Sequence, residues 1–317
     1  MLLLAVMIAA VLTGRYPRPG IIPPALLRTD ALALRLVMEL RLPRVLAAAM
    51  LGAALAAAGV VMQMLFANPL VEPGLVGVSQ GAAFGAALAI LLAGQRPAVI
   101  QLSAALFAIG GLVLTYRIAR RLRFGGWILR LVLSGIAVSA LLSSGVGIIK
   151  FLADPLDQLP EVTFWMLGGL WNVTWREVLR ISAPVGLGIG YVYMRRYRLN
   201  ILSLQDRVSF SLGARPDRER LFLLLGATVA TASVISVAGI IGWVGLLVPH
   251  AARRIFRADA MVAMPASILL GAIFTVLADT LGRSLVAGEI PLGIITSLVG
   301  ATGFIGLLMT HNVRMER

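Results

Sequence analysis

Long apolar runs alternate with short polar segments along nearly the whole chain. A run of about 20 mostly apolar residues is long enough to cross a bilayer as a helix, and Gly, Pro or Arg punctuates most of the ends of these runs. The pattern predicts about ten membrane-spanning helices, at residues 1–13, 45–66, 75–93, 99–116, 127–151, 178–194, 221–238, 241–255, 261–281 and 290–309. We therefore expect an all-α integral membrane protein with a single transmembrane domain over residues 1–317.

The composition agrees with a membrane environment. Apolar residues make up 59% of the chain and charged residues 13%, whereas a soluble domain has about 25% charged residues. The net charge of +14 does not indicate nucleic acid, because such a footprint normally occupies one polar face and the Arg residues here lie in gaps between apolar runs. The absence of Cys excludes thiolate metal sites. His250 and His311 are far apart in the chain, so we expect neither a metal site nor a catalytic site.

The placement of Arg predicts the orientation of the chain in the membrane. Cytoplasmic loops carry an excess of basic residues, and Arg clusters at 117–123 and again between 195 and 220. This predicts that both termini are cytoplasmic. The first outer segment is also rich in Arg, which an acidic partner outside the membrane would explain. The outer Arg residues are Arg15, Arg18, Arg28, Arg35, Arg41 and Arg44.

Two segments carry more polar and helix-breaking residues than packing requires. Asn68-Pro69 and the following Glu-Pro-Gly break a helix, because Pro lacks an N–H and restricts the residue before it. Broken segments at membrane depth often line transport paths. The second segment, about 199–220, is too polar to span. Leu204, Val208 and Leu212 recur there at helical spacing before Gly213, which predicts a short amphipathic helix on the inner face. It could dock into a soluble partner or lie on the membrane.

Five motifs in one order along nearly the whole chain resemble the FecCD family of permeases. These are the membrane subunits of ATP-driven importers for iron siderophores, haem and cobalamin, and the cobalamin permeases are especially similar. The motifs are Arg41-Leu-Pro-Arg44, Asn68-Pro-Leu-Val-Glu-Pro-Gly74, Phe164-Trp-Met-Leu-Gly-Gly169, Gly242-Trp-Val-Gly-Leu-Leu-Val-Pro-His250 and Glu289-Ile-Pro-Leu-Gly293.

The resemblance implies a type II ABC importer permease in a bacterial inner membrane, surrounded by membrane lipid. It implies a homodimer with two cytoplasmic ATPase subunits and a periplasmic substrate-binding protein. The cargo would be cobalamin, haem or a ferric siderophore, or an oxyanion such as molybdate. The arginines that match the family's docking residues for the binding protein are Arg41, Arg44 and Arg283. The alternative is that Asp279 and Arg283, four residues apart, simply form a pair on one helix.

The resemblance also assigns the inner segment and the path. The residues that match the family's coupling segment, where the ATPase would bind, are Asp206, Arg207, Ser211, Leu212, Gly213 and Arg215. The candidates for the translocation path or its gate are Asn68, Pro69, Ser139, Ser143 and Ser144. A serine on a membrane helix also commonly bonds to its own backbone, so a local role for these serines stays open.

The chain has no phosphate-binding loop of its own. Lys150 follows Ile148 and Ile149 and precedes Phe151, whereas the loop requires Gly-Lys-Ser/Thr. We therefore expect no enzyme activity and no cofactor in this chain, with ATP-Mg consumed by the partner ATPase. The alternative is a secondary transporter driven by an ion gradient, which would need ionisable residues at mid-membrane depth. Asp279 is the only acid inside a predicted span, and Arg283 is available to neutralise it.

Overall fold

A computed structural model describes residues 1–16, 18–286 and 288–309. The predicted cytoplasmic carboxyl terminus lies outside these residues. Two two-residue strands, β1 (Thr13–Gly14) and β2 (Gly20–Ile21), pair antiparallel. The helices are α1 (Leu2–Leu12), α2 (Leu26–Thr29), α3 (Ala31–Arg35), α4 (Leu42–Leu65), α5 (Val78–Ala93), α6 (Pro97–Arg121), α7 (Trp127–Leu152), α8 (Gln158–Leu167), α9 (Trp175–Met194), α10 (Arg196–Leu202), α11 (Asp206–Ser211), α12 (Pro216–Ala238), α13 (Val244–Ile255), α14 (Ala260–Leu285) and α15 (Leu292–Met309).

The long apolar helices confirm the membrane class. Within the described residues, five helices are long and apolar enough to cross a membrane: Ala31–Leu65, Pro97–Arg121, Trp127–Leu152, Pro216–Ala238 and Ala260–Leu285. Leu2–Leu12, Val78–Ala93 and Leu292–Gly306 are shorter apolar helices. Helices α9 and α13 correspond to two further predicted spans, at 178–194 and 241–255. We call the face that holds residues 13–41 the outer face and the face that holds residues 195–215 the inner face.

Helix α4 forms the centre of the bundle. Its residues from Leu51 to Leu65 are buried, as expected for a helix that is apolar on all sides. Small residues let the neighbouring backbones approach closely. A Cβ on Gly52 would overlap the carbonyl of Gly271 in α14, and a Cβ on Gly59 would overlap the carbonyl of Gly245 in α13. The glycines in the second predicted span therefore have a packing role.

Two segments differ from their prediction. The segment before α4 is helical from Ala31 and continues through a π-helical turn, Leu36–Arg41, into α4. Asp30 caps it by accepting from the backbone N–H of Leu32 at 2.8 Å. The polar inner segment forms two short helices, α10 and α11, instead of one amphipathic helix, because Gln205 has an extended conformation (φ −59°, ψ 144°). Leu204 consequently lies outside α11.

Candidate functional site

An ion-paired cluster ties α4 to α14 on the outer face. Arg44, in the first turn of α4, donates from Nε to both carboxylate oxygens of Asp279 at 3.0 Å and from Nη1 to Glu289 at 2.8 Å. The side chain of Asp279 is 1% exposed and that of Arg44 is 13% exposed. Bidentate guanidinium–carboxylate contacts of this kind are strong and directional. Arg44 therefore has a structural role whatever else it binds.

The other two predicted docking arginines hold the carboxyl end of α1. Arg283 donates to the carbonyl of Thr13 at 2.7 Å and to the carbonyl of Ala10. Arg41 donates to the carbonyl of Leu12 at 3.2 Å. Cations at a helix carboxyl terminus are favourable, because the last carbonyls carry partial negative charge. The Nε of Arg283 also lies 3.7 Å from Asp279, so the predicted helix pair exists, although Arg44 makes the closer contact with that carboxylate.

The three arginines come together around one cavity. Its volume is about 390 Å³, and the charged and phenolic residues that line it are Arg15, Tyr16, Arg41, Arg44, Arg283 and Glu289. Docking of a binding protein at these arginines stays a prediction. The cavity is a place where an acidic side chain of such a protein could enter. Tyr16 at its rim donates to Asp30 at 2.6 Å, and this hydrogen bond lowers the pKa of Asp30 below its usual range.

Glu289 is a residue of this cluster that the sequence reasoning did not select. Its side chain is 39% exposed, and its backbone φ is +50°, which is uncommon for a residue other than Gly. It lies in the turn between α14 and α15, inside a motif already noted as Glu289-Ile-Pro-Leu-Gly293. The signal in the sequence was that Glu289 is a single acidic residue in the short segment between two apolar runs.

The inner segment presents the predicted coupling residues on its surface. Asp206, Arg207, Ser211, Leu212, Gly213 and Arg215 are all exposed. Val208 and Phe210 are 44% and 72% exposed, so α11 presents apolar side chains to solvent. Its opposite side is fixed by Ser209, which is fully buried and donates to the carbonyl of Ile201 at 2.7 Å. Gly213 has φ +78°, a left-handed conformation that suits Gly after a helix.

The predicted path residues lie in two separate places. Ser139 lines a cavity of about 430 Å³ together with Ser79, Gln80 and Glu72. Ser143 and Ser144 are exposed further along the same helix, α7. Asn68 and Pro69 instead line an inner cavity of about 510 Å³ with Gln63, His250 and Arg253. Asn68 accepts from the backbone N–H of Leu70 at 2.9 Å, so it stabilises the turn that ends α4.

Two breaks in the helices meet beside the Ser139 cavity. One is the segment between α4 and α5, which contains the 3₁₀ turn Pro73–Val76. The other is the segment between α12 and α13, where Trp243 has φ +71°. A Cβ on Gly245 would press against the ring of Pro73. Non-helical backbone at this depth is tolerated where protein or water satisfies it.

Glu72, at the first of these breaks, is another residue that sequence reasoning passed over. It lines the Ser139 cavity and a neighbouring cavity of about 570 Å³ beside Trp243. Leu55 and Ser139, near the middle of α4 and α7, line the first of these cavities. Glu72 therefore brings a carboxyl group to about mid-depth. Its position between Pro69 and Pro73 was the signal that could have identified it.

A comparison with protein families decides the class. A sequence model of the FecCD transport family matches residues 1–310. The chain belongs to the FecCD transport family. It is therefore a permease subunit of the ABC importers, and this finding argues against the secondary transporter. FecCD permeases are not themselves catalytic.

Relatives with different names match the chain to a similar extent. The probable iron chelatin transport system permease protein of Helicobacter pylori is 39% identical over 86% of this chain and 82% of its own length. The cobalamin import system permease protein BtuC of Halobacterium salinarum is 38% identical, over 88% and 74%. The molybdate import system permease protein MolB of Haemophilus influenzae is 35% identical, over 88% and 82%.

A solved structure matches the whole FecCD fold. A metal-chelate type ABC transporter in an inward-facing conformation is 33% identical, with a TM-score of 0.89 and coverage of 97% of both chains. The predicted type II importer permease fold is thereby confirmed.

Proposed function

We propose that the chain is the permease of a binding-protein-dependent importer that carries a metal chelate across a bacterial inner membrane. Two copies form the path, two cytoplasmic ATPase subunits bind the inner face and consume ATP-Mg, and a periplasmic binding protein delivers the cargo. The single transmembrane domain has both termini in the cytoplasm. Residues 199–220 are its coupling segment.

The exposed apolar face of α11 carries this proposal. Val208 and Phe210 of α11, and Leu212 just after it, are exposed within a polar segment, and we take a soluble partner to cover them. Such a short helix, fixed from behind by Ser209, fits a groove of a soluble partner. A chain without a phosphate-binding loop needs that partner to use ATP.

The exposed face of α7 supports a path between two copies. Ala137, Ala140, Ser143 and Ser144 are exposed along it, and the Ser139 cavity opens among polar side chains. A second copy that covers this face would enclose a channel to which Ser139, Ser143 and Ser144 contribute hydroxyl groups. We therefore keep Ser139, Ser143 and Ser144 as path residues and place Asn68 and Pro69 at its inner end.

The cargo class follows from the range of relatives. The relatives named for an iron chelate, cobalamin and molybdate are 39%, 38% and 35% identical to this chain, so sequence identity does not separate these cargoes. Two of these three are metal chelates, as is the cargo class of the solved structure. We therefore favour a metal chelate and retain molybdate as an outcome of the test.

The test is uptake into proteoliposomes that contain the permease and its cognate ATPase, with the binding protein outside. Ferric siderophore, haemin, cobalamin and molybdate are compared as cargo. We expect uptake of one metal chelate that requires internal ATP and the binding protein and that survives a protonophore. Uptake driven by an imposed proton or sodium gradient without ATP would refute the proposal. Uptake of molybdate alone would refute the cargo class only.

A further inference from the structure

The guanidinium of Arg220 lies where several helices meet at the inner end of the bundle. Arg220 belongs to the first turns of α12, and its side chain is 5% exposed. Burying a charged group costs free energy unless it is paired. The groups that contact Arg220 therefore determine what this arginine does.

On one side, Arg220 holds the coupling helix. Its Nη2 donates to Oδ1 of Asp206 at 2.7 Å and to the carbonyl of Leu202 at 3.3 Å. Asp206 is the first residue of α11. With the buried hydroxyl of Ser209, this ion pair is the second attachment of α11 to the bundle. Val208 and Phe210 of α11 remain exposed beside these attachments.

On the other side, Arg220 stacks on the first residue of α7. Its guanidinium carbon lies 4.7 Å from the centroid of the Trp127 ring, a distance at which cation–π attraction is effective. The Trp127 ring is 5.7 Å from the ring of Phe66, at the end of α4. Among the described residues, Nε and Nη1 of Arg220 have no hydrogen-bond partner. The stack on Trp127 is therefore the main contact of that part of the group.

We propose that Arg220 is a positioning residue that links the coupling helix α11 to the inner end of the path helix α7. The inference rests on the proposed function, since it takes α11 as the ATPase contact and α7 as the wall of the path. Ser139 lies about 18 Å beyond Trp127 along α7, at a rise of about 1.5 Å per residue. A displacement of α11 by the ATPase moves Asp206, and Arg220 transmits it to Trp127 and so to α7.

This arrangement gives Asp206 a role different from its sequence-based prediction. Its carboxylate faces Arg220 within the same chain, and it therefore fixes α11 to the bundle, although 60% of the side chain is exposed. Loss of this carboxylate should leave the apolar ATPase-facing side chains in place. It should disconnect the movement of α11 from α7.

The test measures the movement of α7 in the complete transporter. The chain contains no Cys, so Ile148→Cys, at an α7 position that is 62% exposed, provides one spin label per protomer. The label-to-label distance is measured without nucleotide and after trapping with ATP and vanadate. Basal and binding-protein-stimulated ATPase activities are measured on the same samples.

The decisive pair of variants is Trp127→Leu and Trp127→Phe. We expect Trp127→Leu to assemble with the ATPase and keep its basal activity. It should lose the distance change, and the stimulation of ATPase activity by the binding protein should fall at least about fivefold, which is a typical coupling between sites. Trp127→Phe should keep most of both, because its ring still offers a face to the guanidinium. Asp206→Asn should likewise lose the distance change. Arg123→Met, at an exposed arginine between α6 and α7 and outside the coupling segment, is the control and should match the wild type.

The outcomes separate the inference from the proposed function. Arg220→Met should uncouple as well, and if it fails to assemble, Trp127→Leu and Asp206→Asn still decide. A normal distance change and normal stimulation in Trp127→Leu would overturn the link through Arg220. If the wild-type chain binds no ATPase, or its α7 does not move with ATP, the proposed function itself fails.

Discussion

Removal of the Arg44 side chain tests how much the outer ion pair stabilises the bundle. Arg44→Met keeps an apolar side chain of similar length at the start of α4 but leaves the carboxylate of Asp279 without its bidentate partner. Asp279 is 2% exposed, so water cannot replace the lost contacts. Arg283 remains 3.7 Å away and compensates only in part. The buried carboxylate is then the origin of the instability.

The expected loss follows from the burial of this pair. Breaking a buried ion pair by removing one partner costs about 3–5 kcal/mol. At about 2–4 °C per kcal/mol for a chain of this order of size, Tm should fall by roughly 10 °C. The double variant Arg44→Met/Asp279→Leu removes the unpaired carboxylate as well. It should recover more than half of the loss, because replacing a buried ion pair by apolar side chains is often close to neutral.

The assay is the thermal unfolding of the purified permease in detergent, followed by tryptophan fluorescence and by the fraction that remains monodisperse. Arg28→Met, at an exposed arginine of the same outer segment, is the matched control and should unfold with the wild type. The reasoning is refuted if Arg44→Met also unfolds at the wild-type temperature. It is equally refuted if the double variant is less stable than Arg44→Met.

Three further predictions concern the partners. The purified chain alone should show no ATP turnover in a phosphate-release assay, and activity that persists after every ATPase contaminant is removed would contradict its role as a permease. Phe210→Asp should weaken ATPase binding about thirtyfold, equivalent to ~2 kcal/mol at an interface hot spot, whereas Arg123→Gln, at an exposed arginine outside the coupling segment, should change it little; co-purification in detergent measures both. Arg41→Ala should weaken docking of the binding protein and flatten its salt dependence as the Debye length falls from about 30 Å to about 8 Å. Equal salt dependence in the variant and the wild type would remove Arg41 from the docking surface.

The helices and their breaks could largely be predicted from the chain alone. A bilayer requires long uninterrupted apolar runs, because backbone N–H and C=O groups without hydrogen bonds cost free energy there. The spans predicted at 127–151 and 261–281 therefore agree with α7 and α14 to within a few residues. The predicted spans at 99–116 and 221–238 are shorter than α6 and α12. Charged residues continue a helix beyond the apolar region when their long side chains reach the polar surface. Pro69 and Pro73 marked a break for the same local reason, that a proline cannot donate a backbone hydrogen bond.

The partners of the charged residues were decided by the tertiary structure. Arg44 and Asp279 are 235 residues apart in the sequence. Nothing in the local sequence shows that Asp279 pairs more closely with Arg44 than with Arg283, which is only four residues away. The stack of Arg220 on Trp127 and the position of Glu72 beside Trp243 likewise join segments that are distant in the chain. The spacing of apolar residues predicts which side chains are buried away from water, because burial depends on composition and spacing. Which charge meets which depends on how α4 packs against α14 and how α7 meets α12, and only the assembled bundle fixes those distances.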